Sequence, residues 1–296
     1  MPILEDTTTT PDGRQVAMLV ATPATPPQGL VVVLPAMGVA ARFYRAFADR
    51  LSGHGHLVAV VDLPGQGASP TRVRRGSDLG YADLVAGEVT AALRWIRREH
   101  PSRPVFLVGH SLGGHLALRY ATQPDAGLAG VVLVASGSVW YRSFGLLGGV
   151  RNLLFSQVFA GIARVLGYWP GDRLRFGGRQ PARVMRDWAA QVRSGDMTGG
   201  TGRDGRAFGC RTPVLVVSVD HDRLAPPAAV RYLTAAVPHA PVEQWHYGSA
   251  AADGPVDHFR WAKRPDPVAD RIDDWMRATT AVRATEQEPG KADHDH

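Results

Sequence analysis

The chain has 296 residues, 45% of them hydrophobic and 20% charged, with a formal net charge of +6 and one cysteine. That length can bury a large core, and the composition is that of an ordinary globular chain. Cys210 alone cannot build an internal disulfide framework. The arginines that supply the positive charge are scattered, without aromatic interleaving, so nucleic-acid binding is not expected. Residues 1–12 lack the basic and apolar regions of a secretory leader, and no run approaches 18 apolar residues. No export signal and no membrane span are therefore expected, and a cytoplasmic location is.

Residues 3–10 and 15–21 flank Pro11-Asp12-Gly13, a turn signal for an N-terminal hairpin. Leu30-Val31-Val32-Val33-Leu34 is a continuous apolar run, as in a strand buried on both faces. It ends in Pro35-Ala36-Met37-Gly38, and Phe43, Phe47 and Leu51 then recur at helical spacing. Val58 to Val61 reads as the next strand, closed by the loop Asp62 to Ser69. Ser77 and Asp78 can cap a helix running to about Arg98, with Leu84, Val85, Val89, Leu93 and Ile96 on its apolar face. Strands follow at Val105 to Val108, where the apolar run meets Gly109-His110-Ser111, and at Val131 to Ala135.

Strand and helix thus alternate from residue 30 to 135, which calls for an α/β fold: a mostly parallel central sheet with helices on both faces. At Gly137 the alternation stops. Up to about Gly205 the chain is rich in tryptophan, phenylalanine, leucine, arginine and glycine, with helical stripes at Leu154-Val158-Ile162-Val165 and Val184-Met185-Trp188-Val192. No strand signal appears there, so residues 137–205 are expected to form a helical cap or lid insertion. Apolar stripes of this kind also suit plain scaffold helices. Met197 to Arg206 is expected to be a mobile loop. The core is expected to comprise 1–136 and 206–279, with a strand at 213–219, a helix at 228–236, a last strand at 242–247 and a closing helix at 267–276. Residues 280–296 are expected to be a disordered tail.

The chemistry concentrates in Val105-Phe106-Leu107-Val108-Gly109-His110-Ser111-Leu112-Gly113-Gly114. A buried strand meets an amphipathic helix through a turn with a serine at its apex. Small residues two positions either side permit so tight a bend, which projects the Oγ above the sheet. The bland alternative is a glycine-rich turn with an incidental serine. A serine hydroxyl needs a base within reach, and the base needs an orienting acid. For this kind of turn the chain order is serine, acid, histidine. Asp220 and Asp222 follow the next-to-last strand, and loop position favours Asp222. Of the eleven histidines, His258 lies in the loop after the last strand, whereas His110 should point away from the serine. Developing negative charge on an acyl oxygen needs donors. The Leu112 N–H is one, and the Met37 N–H in the loop after the first parallel strand is the other candidate.

These residues together resemble the α/β-hydrolase superfamily of serine hydrolases over about residues 30 to 278. The resemblance rests on Gly109-His110-Ser111-Leu112-Gly113-Gly114, on Asp62-Leu63-Pro64-Gly65-Gln66-Gly67-Ala68-Ser69, which looks like the family's D-x-x-G-x-G-x-S loop, and on Asp222 and His258. Arg42-Phe43-Tyr44 and Asp257-His258-Phe259 are similar to an uncharacterised bacterial branch of esterase- or lipase-like hydrolases. Pro35-Ala36 stands where members often carry His-Gly, and Val219 where many carry Gly. The resemblance implies an α/β-hydrolase fold and cleavage of a carboxylic ester or thioester through an acyl-enzyme, with no metal and no cofactor. The apolar cap suggests a small-molecule acyl substrate. An acyltransferase or thioesterase would use the same residues, and a silent binding protein could share the fold. Oligomeric state is not encoded in these motifs.

Overall fold

The computed structural model describes residues 3–199, 207–251 and 254–287. An eight-stranded sheet runs through it in the order β1-β2-β4-β3-β5-β6-β9-β10. Strands β1 (Ile3–Thr9) and β2 (Gln15–Ala21) form the expected hairpin, and β2 also pairs antiparallel with β4 (His56–Val61). From β4 onward the order β3 (Gly29–Leu34), β5 (Val105–His110), β6 (Gly130–Val134), β9 (Val214–Val219) and β10 (Val242–Tyr247) is parallel throughout.

The run Leu30 to Leu34 shows why these strands are apolar at every position. Leu30, Val32 and Leu34 enter one core cluster and Val31 and Val33 the other, one on each face of the sheet. Successive side chains point to opposite faces, so a strand covered on both sides has no polar position left. The covering helices are α1 (Arg45–Gly53), α2 (Tyr81–Leu84), α3 (Thr90–Arg98), α4 (Leu112–Ala121), and, after the sheet resumes, two more near the C-terminus. The helix expected to open at Ser77 starts instead at Tyr81. Its first N–H groups are satisfied by carboxylates: Gly80 N–H donates to Asp83 and Tyr81 N–H to Asp187, each at 2.8 Å. A π turn at Val85–Val89 separates α2 from α3, and there Thr90 Oγ1 donates to the Val85 carbonyl at 2.9 Å.

Between β6 and β9 lie α5 (Leu146–Leu166), α6 (Gly171–Leu174) and α7 (Ala182–Ser194). Contrary to the purely helical expectation, this segment also holds a small antiparallel pair, β7 (Tyr168–Pro170) with β8 (Gly178–Pro181). Residues 200–206 of the expected mobile loop lie outside the described residues. Helix α8 (Pro227–Ala235) follows β9, and α9 (Asp266–Gln287) closes the chain. The tail expected from residue 280 is therefore helical to 287, and residues 288–296 lie outside the described residues. Residues 277–287 contain neither glycine nor proline, and Arg283 Nη1 ties the helix to the Leu128 carbonyl at 2.7 Å.

On α4, His115 is buried and its Nε2–H donates to the Gly137 carbonyl at 2.9 Å. Burial pushes its pKa down from 6.5 to about 4. The unfolded chain takes up this proton below 6.5, while the folded chain resists until about 4. Stability held by the neutral ring is thus present above pH 6.5 and lost as pH falls toward 4. For one such group the loss between pH 7 and pH 5 is about 2 kcal/mol. Urea titrations of wild type and His115→Gln should therefore show the wild-type advantage shrinking by about that amount at pH 5. A difference independent of pH would contradict this.

Candidate active site

The serine turn sits where β5 enters α4. Ser111 has φ 53° and ψ −114°, outside the usual regions for an L-residue. A Cβ on Gly109 would lie 2.4 Å from the Gly113 backbone, and one on Gly113 would lie 2.1 Å from the Leu34 carbonyl. Glycine at these positions is a steric necessity of the turn. Leu112 opens α4, where the leading N–H groups have no partner within the helix and the helix dipole favours negative charge.

Ser111, Leu112, Met37, Asp222 and His258 all line one cavity of about 1050 Å³. It lies beyond the carboxyl ends of the parallel strands, where open α/β sheets place their ligands. Among the described residues four non-glycines have positive φ: Ser111, Ala135, Arg175 and His221. Three of them line this cavity, and the fourth directly precedes Asp222. Backbone strain is gathered at one place in the molecule.

Asp222 and His258 come together although 36 residues separate them. The His258 Nδ1–H donates to the carboxylate, 2.8 Å from Oδ2 and 2.9 Å from Oδ1. Both side chains are buried, with residue exposures of 7% and 5%. Asp222 Oδ1 also accepts the Leu224 and Ala225 N–H groups at 2.8 Å each, which fixes the loop after β9. Beside His258 in the chain, Asp257 Oδ1 accepts the Phe259 and Arg260 N–H groups at 2.9 and 2.8 Å. That small turn sets the backbone that carries His258. The carboxylate acts on Nδ1, so Nε2 is the nitrogen available to a hydroxyl.

Asp220, the other acid weighed from sequence, goes elsewhere. It accepts Ser249 Oγ–H at 2.8 Å on the surface. Beside it, Ser218 Oγ meets His246 Nδ1 at 2.9 Å, and His246 Nε2 lies 4.0 Å from Asp220 Oδ1. In this second serine, histidine and aspartate group, Ser218 on β9 and Asp220 just after it are half-buried and His246 on β10 is exposed, and none of the three lines the cavity. Asp62, in the motif loop, is buried and bridges two segments. Its Oδ1 accepts the Ala41 N–H at 2.7 Å and its Oδ2 the Ala68 N–H at 2.9 Å.

Several cavity residues were given no site role from the sequence, Trp188 being read there only as part of a helical stripe. Phe155, Phe159, Phe176 and Trp188 supply an aromatic wall from the segment between β6 and β9, with Phe159 to Phe176 ring centroids 5.2 Å apart. Arg151, Arg175, Arg223 and Arg231 stand among the lining residues, while the lining carboxylate, Asp222, is engaged by His258. The same segment also touches the Met37 loop: a Cβ on Gly38 would lie 2.3 Å from the Gly177 backbone. Only aromatic enrichment hinted at this wall. Contacts between residues 38 and 177 leave no trace in local pattern.

A family model described as serine aminopeptidase, S33, matches residues 25–193. The monoacylglycerol lipase of Mycolicibacterium smegmatis is 29% identical over 241 residues, covering 75% of this chain and 80% of that protein. The human monoglyceride lipase is 29% identical over 124 residues, 42% of this chain and 40% of that protein. Among solved structures, a soluble variant of monoglyceride lipase from Saccharomyces cerevisiae in complex with a substrate analog superposes with a TM-score of 0.69. That match has 15% identity and covers 94% of this chain and 96% of the other. A thermostable carboxyl esterase from Bacillus coagulans in complex with glycerol gives 0.65 at 18% identity, over 94% and 99%. These similarities of shape show a common α/β-hydrolase fold.

Proposed function

Because the chain belongs to the serine aminopeptidase, S33, family of α/β hydrolases, and is on that footing a carboxylic ester hydrolase, we propose that it cleaves the ester of an apolar acyl chain, a monoacylglycerol being the model substrate. The observation that carries this reading is the buried Asp222–His258 pair opening on the same apolar-walled cavity as the strained Ser111.

In this mechanism Ser111 Oγ attacks the acyl carbonyl carbon while His258 Nε2 takes the hydroxyl proton. Asp222 holds the ring in the required tautomer and stabilises the imidazolium. The Leu112 and Met37 N–H groups hydrogen-bond the oxyanion of the tetrahedral intermediate, the largest single contribution in such sites. Collapse breaks the ester C–O bond, and the alcohol leaves with the proton from His258. Water then attacks the acyl-serine with His258 as base, releasing the carboxylic acid and restoring the serine.

The outer face of α5 supports an apolar substrate. Leu154 and Val158 are 61% and 55% exposed, and Leu146, Leu147, Val165 and Leu166 are exposed with them. By length and composition α5 is long and apolar enough to cross a membrane. Here it also packs on α7 and presents Phe155 and Phe159 to the cavity. An apolar face beside the cavity suits contact with a lipid aggregate. Incubation with monoacylglycerols should release glycerol and fatty acid in equal amounts, and no release at any chain length would overturn the proposal. Replacing Leu154 and Val158 together by serine should lower the rate on micellar substrate about tenfold, the equivalent of ~1.4 kcal/mol of lost burial. The rate on a soluble short-chain ester should not change.

A further inference from the structure

Behind the cavity, a row of buried hydrogen bonds joins two loops that the mechanism uses separately. The Ala36 N–H donates to Tyr44 Oη at 2.9 Å. Tyr44 Oη lies 2.7 Å from His110 Nδ1, and His110 Nε2 lies 2.8 Å from the His258 carbonyl oxygen. The directions along this row are fixed by chemistry, and the Trp261 Nε1–H, 3.5 Å from His110 Nε2, is too far to compete with the carbonyl at 2.8 Å. A carbonyl only accepts, so His110 carries its hydrogen on Nε2 and leaves Nδ1 as an acceptor. The phenol already accepts from Ala36, so its own hydrogen goes to Nδ1. The chain reads Ala36 N–H, Tyr44 O–H, His110 N–H, His258 C=O.

Its two ends are functional. Ala36 directly precedes Met37, and His258 bears the imidazole. The middle link, His110, is the residue before Ser111. Tyr44 and His110 are fully buried. The edges and faces of Phe259 and Trp261 close around the His110 ring, with centroids 5.8 and 5.2 Å away. Burial holds His110 well below, and Tyr44 well above, their ordinary pKa values, so both stay neutral and the bond directions persist. Neither residue lines the cavity.

We propose that Tyr44 and His110 are positioning residues that hold the second oxyanion donor and the imidazole in register across the nucleophile. The proposal rests on the roles given above to Ser111, His258 and Met37. It explains why Arg42-Phe43-Tyr44 and Asp257-His258-Phe259, far apart in sequence, meet in the structure: Phe43 packs edge-on against Phe259, with centroids 6.5 Å apart.

A double-mutant cycle on kcat tests it. Tyr44→Phe and His110→Gln both break the link between Tyr44 and His110, Tyr44→Phe also taking the phenol acceptor from the Ala36 N–H, while the Gln amide can still donate to the His258 carbonyl. Each should lower kcat about tenfold with KM within about twofold, and the double variant should fall about tenfold rather than a hundredfold. His110→Asn keeps an acceptor for Tyr44 but is too short to reach His258. Combined with Tyr44→Phe, it cuts the same row a second time, so the loss should again stay near tenfold. Thermal melting confirms folding of each variant, and a fluorophosphonate probe reports the serine directly. Wild-type protein that fails to label would overturn the triad reading itself. Labelled wild type with multiplicative loss in either pair, unchanged kcat, or loss confined to KM would overturn the positioning role alone.

Discussion

Ser111→Ala should lower kcat/KM for a p-nitrophenyl ester by a factor on the order of 10⁵, with little change in melting temperature. The two expectations have separate physical grounds. Alanine removes the attacking oxygen and leaves the oxyanion donors, so only the residual catalysis of a polar cavity survives. The strained backbone at φ 53° costs alanine about what it costs serine, and Gly109 and Gly113 still permit the turn. Retention of even about 1% of activity would show that another group attacks the substrate.

Asp222→Asn should lower kcat by about 10⁴ while preserving the fold. Asn can still accept the Leu224 and Ala225 N–H groups that Asp222 accepts at 2.8 Å. Its amide hydrogens, however, would face His258 Nδ1. The imidazole would then turn its lone pair toward residue 222 and carry hydrogen on Nε2, leaving no base for Ser111. Asp220→Asn is the matched control. Its carboxylate is on the surface with Ser249, so activity should stay within about twofold. Steady-state kinetics on the two variants decides between the acids, and equal losses would overturn the assignment to Asp222.

The parallel core was legible because strands covered on both faces cannot hide their pattern. Leu30 to Leu34 and Val105 to Val108 are apolar at every position. The hairpin was legible from Pro11-Asp12-Gly13. Strand order was not, since nothing within β9 records that it lies beside β6. The pair β7 and β8 was missed because Tyr168–Pro170 and Gly178–Pro181 are too short for alternation and carry prolines that ordinarily argue against strands. The start at Tyr81 was missed because a carboxylate 106 residues away, Asp187, takes the first N–H. In the candidate site, the strand–turn–helix motif singled out Ser111, chain order His258, and loop position favoured Asp222. The Tyr44–His110 link escaped, because a buried polar chain across 66 residues has no local period.

Peptide mapping by mass spectrometry after fluorophosphonate treatment bears most directly on Ser111 as the activated nucleophile. One adduct per chain on the peptide containing Ser111, absent from Ser111→Ala, is the expected result. An adduct on Ser218, where the second group lies, or no adduct at all, would contradict it.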